Sequence, residues 1–269
     1  MNVITEEKTV GYLIYLVRTY NGITKLLAGT KNRIQATNPG AAPGDDDIVI
    51  ALEKVKGKIN RKIGKHLEYW DLWTHWLKDV PGIGPAYAGQ LIILHYYRNV
   101  PICKKCGGTV EKIKGGMKCN DCGAEAKGDG LLEYKTTIKD FQNPSSWWHY
   151  LGLHVVDGKK PKRTKGELSD WSTIGRSLSH LIGKQFVKTP GLYREFYDIR
   201  KKKREKTHPD ASKGHKHNMA CNETAKLFQA HLWHVAKVLS GEKPQLPYAH
   251  GIMGHTNFIE PCYFEPKNS

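Results

Sequence analysis

From Leu13 onward, apolar side chains fall at Leu13, Leu16, Tyr20, Ile23, Leu27 and Ile34. This three-four alternation lines one face of a helix and resembles a coiled-coil seam, which Asn21-Gly22 predicts to be interrupted. Residues 38–44, Asn-Pro-Gly-Ala-Ala-Pro-Gly, predict a tip loop, because proline lacks an amide hydrogen and glycine supplies turn conformations. A second stripe, Ile48, Leu52, Val55, Ile59, Ile63, Leu67, Trp70, Trp73 and Leu77, predicts a helix to about Leu77. Such a helix would be about 45 Å long, so residues 1–78 read as a protruding antiparallel helical hairpin. Asp45, Asp46 and Asp47 stand where a helix N-terminus welcomes acceptors. Three adjacent carboxylates point in different directions, so capping is the reading preferred over a metal-binding catalytic cluster.

Residues 79–100 carry Val80-Pro81-Gly82-Ile83-Gly84-Pro85 and then the apolar run Gly89 to Tyr97. The pattern is a helix-hairpin-helix signature: Gly82 and Gly84 permit a tight turn whose following amides can hold a phosphate without reading a base. The bland alternative is a turn between two packed helices. Further on, residues 129–269 predict helices at Trp171 to Phe186, with Ile174, Leu178, Leu181 and Ile182 inward, at Leu192 onward, and at Met219 to Leu239. Two basic runs punctuate this region. Lys159, Lys160, Lys162, Arg163 and Lys165, with Thr164, surround Pro161 and cannot pack into a core, whereas Arg200, Lys201, Lys202, Lys203 and Arg204 close a helix. Trp147, Trp148 and Trp171 are candidates either for base stacking or for the core.

Charge and cysteines sharpen the picture. The 269 residues hold 42 Lys and Arg against 26 Asp and Glu, a net +16 that points to a polyanionic partner, above all nucleic acid. No lipid-anchor or amphipathic terminal pattern points to a membrane, and no secretory signal is recognised, so a cytoplasmic protein of a prokaryotic or phage-infected cell is expected. Cys103, Cys106, Cys119 and Cys122 form two CxxC pairs separated by twelve residues, each second cysteine followed by glycine. Two such knuckles can close a tetrahedral thiolate site, so residues 101–128 read as a β zinc ribbon holding one Zn2+. Thr109 to Lys114 and Met117-Lys118 would form a hairpin between them. Cys221 and Cys262 are left as free thiols; His215, His217 and Cys221 could supply a second metal site, but surface and core histidines are the commoner outcome.

The order of these motifs resembles the C-terminal domain of bridge-RNA-guided insertion-sequence transposases. Val80 to Pro85, Phe141 with Tyr150-Leu151-Gly152-Leu153, the basic loop, Pro190 to Lys201 and Asn222 to Val238 carry the likeness. The scaffold is also similar to the Nop domain of box C/D ribonucleoproteins, and resembles most the Tas proteins, Nop-type proteins associated with tandem interspaced guide RNAs. The resemblance implies a mainly α fold: a coiled-coil hairpin plus a helical Nop-like, helix-hairpin-helix domain with an inserted β zinc ribbon. It implies guide RNA and target DNA as partners, and the hairpin suggests a homodimer.

The departures bear on catalysis. Those transposases carry an acidic RNase-H-like domain ahead of the coiled coil, and the roughly 45 residues that precede it here are expected to be too few for such a sheet. Their nucleophilic serine follows the Gly-Leu, and residues 154–166 contain none. Thr164 has only Asp157 close in sequence as a carboxylate and reads as a phosphate contact. The expectation is a non-enzymatic, guide-RNA-binding component of a DNA-targeting system. The alternatives are a transposase-like enzyme or nuclease acting with a partner, and an RNA-independent DNA-binding regulator.

Overall fold

The computed structural model describes residues 3–108, 110–128, 130–138, 141–156, 160–162, 171–244 and 259–265. They form two compact units, residues 1–91 with 141–269, and residues 92–140. The protein is mainly helical, with two small antiparallel sheets.

In the first unit, helix α1 (Val3–Thr37) pairs with α2 (Asp47–Leu67). Lys31 Nζ reaches Glu53 at 2.6 Å, Lys56 Nζ lies 5.2 Å from the Tyr20 ring centroid, and the Tyr12 and His66 rings meet edge-on at 5.5 Å. Partners that retreat along α1 advance along α2, so the helices are antiparallel. A short 3-10 turn, Pro43–Asp45, joins them, and the Asp46 side chain caps α2 by accepting from the Ile48 and Val49 amides.

Helix α1 passes through Asn21-Gly22 without the predicted interruption. A glycine inside a helix costs only about 1 kcal/mol against alanine, and the Asn21 amide donates to Gln90 Oε1 at 3.2 Å, a tertiary contact that the local pattern does not contain. The second helix, conversely, is shorter than predicted: α2 ends at Leu67, and Trp70 is extended ahead of a single turn, α3 (Asp71–Thr74), and a 3-10 turn, Leu77–Asp79. The break lets Leu72, Trp73, Trp76 and Leu77 all become buried. Trp76 stacks on Phe228 at 5.5 Å and donates its indole hydrogen to the Cys262 carbonyl at 2.7 Å. That burial outweighs the helical hydrogen bonds given up at the break.

Helix α4 (Pro85–Tyr96) follows the Gly82 turn. The remaining helices of the first unit are α5 (Pro144–Tyr150), α6 (Thr173–Lys188), α7 (Leu192–Thr207) and α8 (Lys213–Leu239). Helix α8 packs against α5, α6 and α7 and is the axis of the core. Trp147, wholly buried, donates to Gln229 Oε1 at 3.1 Å, and Gln229 donates onward to Ser179 Oγ at 3.1 Å. On α6 the buried face is Gly175, Leu178, Ser179, Ile182, Gly183 and Phe186. Leu178 and Ile182 are inward as expected, whereas Ile174 and Leu181 are 66% and 49% exposed, because the buried face is centred on the line through Gly175, Ser179, Ile182 and Phe186, with Gly183 close against α8.

The residues 259–265 complete this core: the Ile259 carbonyl accepts from His231 Nε2 at 3.0 Å, and the Tyr263 hydroxyl accepts from the Leu192 amide at 2.7 Å. Since Nε2 donates, Nδ1 of His231 accepts from the Tyr193 hydroxyl at 2.8 Å, which requires the neutral imidazole. Burial, opposed by the Ile259 carbonyl and aided by His234, lowers the His231 pKa from 6.5 to about 4. A folded-state value below the unfolded one means that stability is complete above pH 6.5 and declines as pH falls toward 4, by about 3 kcal/mol in all. Thermal melts from pH 7 to 4 are expected to show this decline; H231N should start lower at pH 7 and fall less steeply, and parallel curves would contradict the assignment.

The second unit contains strand β1 (Tyr97–Cys103) paired antiparallel with β5 (Leu132–Ile138), and the sheet β2-β3-β4 formed by Val110–Ile113, Gly116–Cys119 and Glu125–Lys127. The β2-β3 hairpin, with Ile113 opposite Gly116 and Val110 opposite Cys119, is the one predicted between the cysteine pairs. The flanking pair β1-β5 was not anticipated: its register runs from Tyr97 opposite Ile138 to Cys103 opposite Leu132, so Tyr97 belongs to a strand and not to the preceding helix. Among the described residues, no helix is long and apolar enough to cross a membrane.

Candidate metal centre and nucleic-acid interface

Strand β1 delivers Cys103 at its end and β3 delivers Cys119 at its end; Cys106 and Cys122 sit on the two following turns. Each turn closes the same way. The Gly107 amide donates to the Cys103 carbonyl at 2.8 Å and the Gly123 amide to the Cys119 carbonyl at 3.1 Å, both glycines with positive φ. Backbone amides point at sulfur: Lys105 at Cys103, Gly108 at Cys106 and Cys122 at Cys119, each at 3.4 Å.

The four sulfur atoms lie within 4.8 Å of one another, Cys103 to Cys122 at 3.8 Å and Cys106 to Cys119 at 3.4 Å. Cys103 and Cys119 are buried; Cys106 and Cys122 are exposed. The Gly108 amide favours the Cys106 thiolate, but hydrogen bonding with the Cys119, Cys122 and Cys103 thiols outweighs it and pushes Cys106 up to about 12. Cys119 moves the other way, to about 7, held down first by the Cys122 amide. Four thiols this close together can hold one metal ion, whose binding would displace their protons. Among the described residues it is the one such cluster; His217 Nε2 lies 3.5 Å from Cys221 Sγ, but His215 does not join them in a ligand set.

The predicted nucleic-acid residues fall into three groups. Gly82 has φ 92°, which strains any other residue, and a Cβ there would stand 3.1 Å from Thr189 Oγ1 and 3.3 Å from Gln185 Cγ, so the turn and its surroundings account for the glycine without a phosphate. Gly84 is exposed with open space around it. Of the first basic run, Lys160 is half-buried and Lys162 exposed, while Lys159, Arg163, Thr164 and Lys165 lie outside the described residues.

The second basic run forms the last turns of α7. Its arginines are engaged: Arg204 Nε donates to Glu223 Oε1 at 2.6 Å, and Arg200 Nε donates to Glu223 Oε2. Lys202 and Lys203 are exposed and Lys201 half-exposed. Of the tryptophans, Trp147 and Trp171 are buried and Trp148 is half-buried. Sequence reasoning did not single out Arg176 and Lys226, which the fold brings beside Trp171 and Trp148; isolated cations on amphipathic helices carry no local signal. No known protein family, curated protein or solved structure matches this chain.

Proposed function

We propose that the protein is a nuclease-free, guide-RNA-binding component of an RNA-guided DNA-targeting system, built on a Nop-type helical scaffold with a zinc ribbon. Base pairing by the guide reads the sequence, and the protein grips phosphate backbones. The observation that carries this reading is the run Lys201, Lys202 and Lys203 on α7, which makes no ion pair among the described residues although Arg200 and Arg204 beside it share Glu223. Free, clustered cations in a chain of net +16 suit a polyanion. The helical hairpin and the mainly helical first unit support the likeness on which the guide-RNA part rests.

Zinc is the metal that best suits the cysteine quartet. Thiolates at the usual zinc–sulfur distance of about 2.3 Å on tetrahedral corners stand about 3.8 Å apart, close to the observed 3.8 and 3.4 Å. Four thiolates close the coordination sphere, so the ion would be structural.

The deciding experiment is to purify the protein from cells carrying its native flanking DNA, digest the protein away and sequence the retained nucleic acid. A discrete short RNA with repeat-like ends is expected; bulk RNA or none would refute the guide-RNA reading, and tight duplex binding without RNA would favour a regulator. The mass of the purified particle reads the expected homodimer. Replacing Lys201, Lys202 and Lys203 by alanine is expected to flatten the dependence of log K on log salt for RNA by about 2 units, at roughly 0.7 per single-strand phosphate. An unchanged slope would exclude this face from the interface.

A further inference from the structure

On α8, Lys226 folds back over Trp148 of α5: its Nζ lies 4.3 Å from the indole centroid, while the Trp148 indole hydrogen is donated to the Lys226 carbonyl at 3.1 Å. On α6, the Arg176 guanidinium lies 4.8 Å from the ring centroid of Trp171 and donates to the Pro161 carbonyl at 2.5 Å. That bond tethers the segment that carries Lys160. Trp171 cannot shift, because it presses on Gly152, where a Cβ would stand 2.7 Å from the indole, and the next residue, Ser172, donates its amide to the Tyr150 carbonyl at 2.7 Å.

Lys160, Arg176 and Lys226 are each half-buried, and Lys160 is close enough to feel the charges of the other two. Burial first, then the charges of Arg176 and Lys226, lower the Lys160 pKa to about 8; burial also lowers Lys226. His180, one turn beyond Arg176, is lowered by burial and by Lys184, Lys160 and His217. Among the described residues no carboxylate pairs with any of the three cations, whereas Arg194 pairs with Asp198, Arg200 and Arg204 with Glu223, and Lys237 with Glu242. Half-buried and without a carboxylate partner among the described residues, the Lys160 ammonium faces two like charges, an arrangement that a bound anion would relieve.

We propose that Lys160, Arg176 and Lys226 form a phosphate-binding pocket, with Trp148 and Trp171 as the platforms that hold Lys226 and Arg176 in place. A guanidinium fork and two ammonium groups match the oxygens of one phosphate. That the phosphate belongs to a nucleic acid rests on the function proposed above; the pocket itself does not.

The test uses the full chain and adenosine 5′-monophosphate, with adenosine as control, by titration calorimetry at pH 8.5 in two buffers of different ionisation enthalpy. The nucleotide is expected to bind and adenosine not, with uptake of about half a proton or more as Lys160 is recharged. K226M and R176M, checked by melting curves for intact folding, should each weaken binding at least tenfold. K160R should retain binding and abolish proton uptake, because arginine is charged throughout. Equal binding of nucleotide and adenosine, or undiminished nucleotide binding by folded K226M and R176M, overturns the pocket. A single-stranded RNA oligonucleotide separates the two levels. If K226M loses the nucleotide but keeps full RNA affinity, the pocket serves a free phosphorylated ligand and its assignment to the nucleic-acid interface falls. If the wild type binds the nucleotide but no RNA at all, the pocket stands and the proposed function falls.

Discussion

Replacing Cys119 by serine is expected to unfold residues 92–140 while residues 1–91 with 141–269 keep their own melting transition. The apolar core at the ribbon is Cys103, Met117, Cys119 and Leu131, with Val110, Ala124, Ala126 and Leu132 partly buried around it. Two of the four fully enclosed members are themselves thiols of the metal quartet. So little apolar area cannot offset the conformational entropy of ordering the chain, and units of this size depend on a staple. A structural zinc contributes about 10–16 kcal/mol of apparent binding free energy near pH 7, which is at the same time folding free energy. Serine removes one of four thiolates and leaves the three others without a closed site. Limited proteolysis should therefore cut the C119S variant within 92–140, and a strong chelator should reproduce the cleavage in the wild type while releasing one zinc per chain. Protease resistance of this unit in both experiments would exclude a structural metal.

Trp147→Ala is expected to cost about 3–5 kcal/mol of stability of the first unit without altering which nucleic acid is bound. The side chain is wholly buried, meets Phe141 edge-on at 4.7 Å and Tyr150 at 5.7 Å, and donates to Gln229. Truncation removes the large ring and also leaves Gln229 Oε1 without its donor in the chain that runs on to Ser179 and the Gly175 carbonyl. Denaturant unfolding measures the loss. RNA affinity measured well below the melting temperature should stay within a factor of a few of the wild type. A large loss of affinity with unchanged stability would show that Trp147 serves as a stacking platform instead. Trp148 makes the opposite case, because it is half-buried and keeps a face toward Lys226.

Much of the architecture was legible in local patterns. The stripes on α1 and α2, the Asp46 cap, the hairpin between the cysteine pairs and the position of α6 each follow from a repeat or a spacing that acts over a few residues. The cysteine quartet was legible for the same reason: each knuckle is a local structure with its glycine, and a single hairpin brings the two together. What lay beyond reach were consequences of long-range packing. The three-four stripe through Trp70, Trp73 and Leu77 continues the helix on paper, yet the chain breaks at Leu67 because Trp76 finds Phe228 and the Cys262 carbonyl far along the sequence. The β1-β5 pair joins segments on either side of the ribbon, and pairing across such a separation leaves no local periodic mark.

By itself, the sequence determined the helical hairpin, the cysteine quartet and the cationic character, because each depends on neighbours within a turn or a hairpin or on a simple sum of charges. Only the tertiary structure decided which cations pair with Glu223, which lie beside Trp148 and Trp171, and which tryptophans are core. The physical reason is that charge pairing and burial are properties of surroundings assembled from several helices, and a residue's surroundings do not exist until the chain has packed.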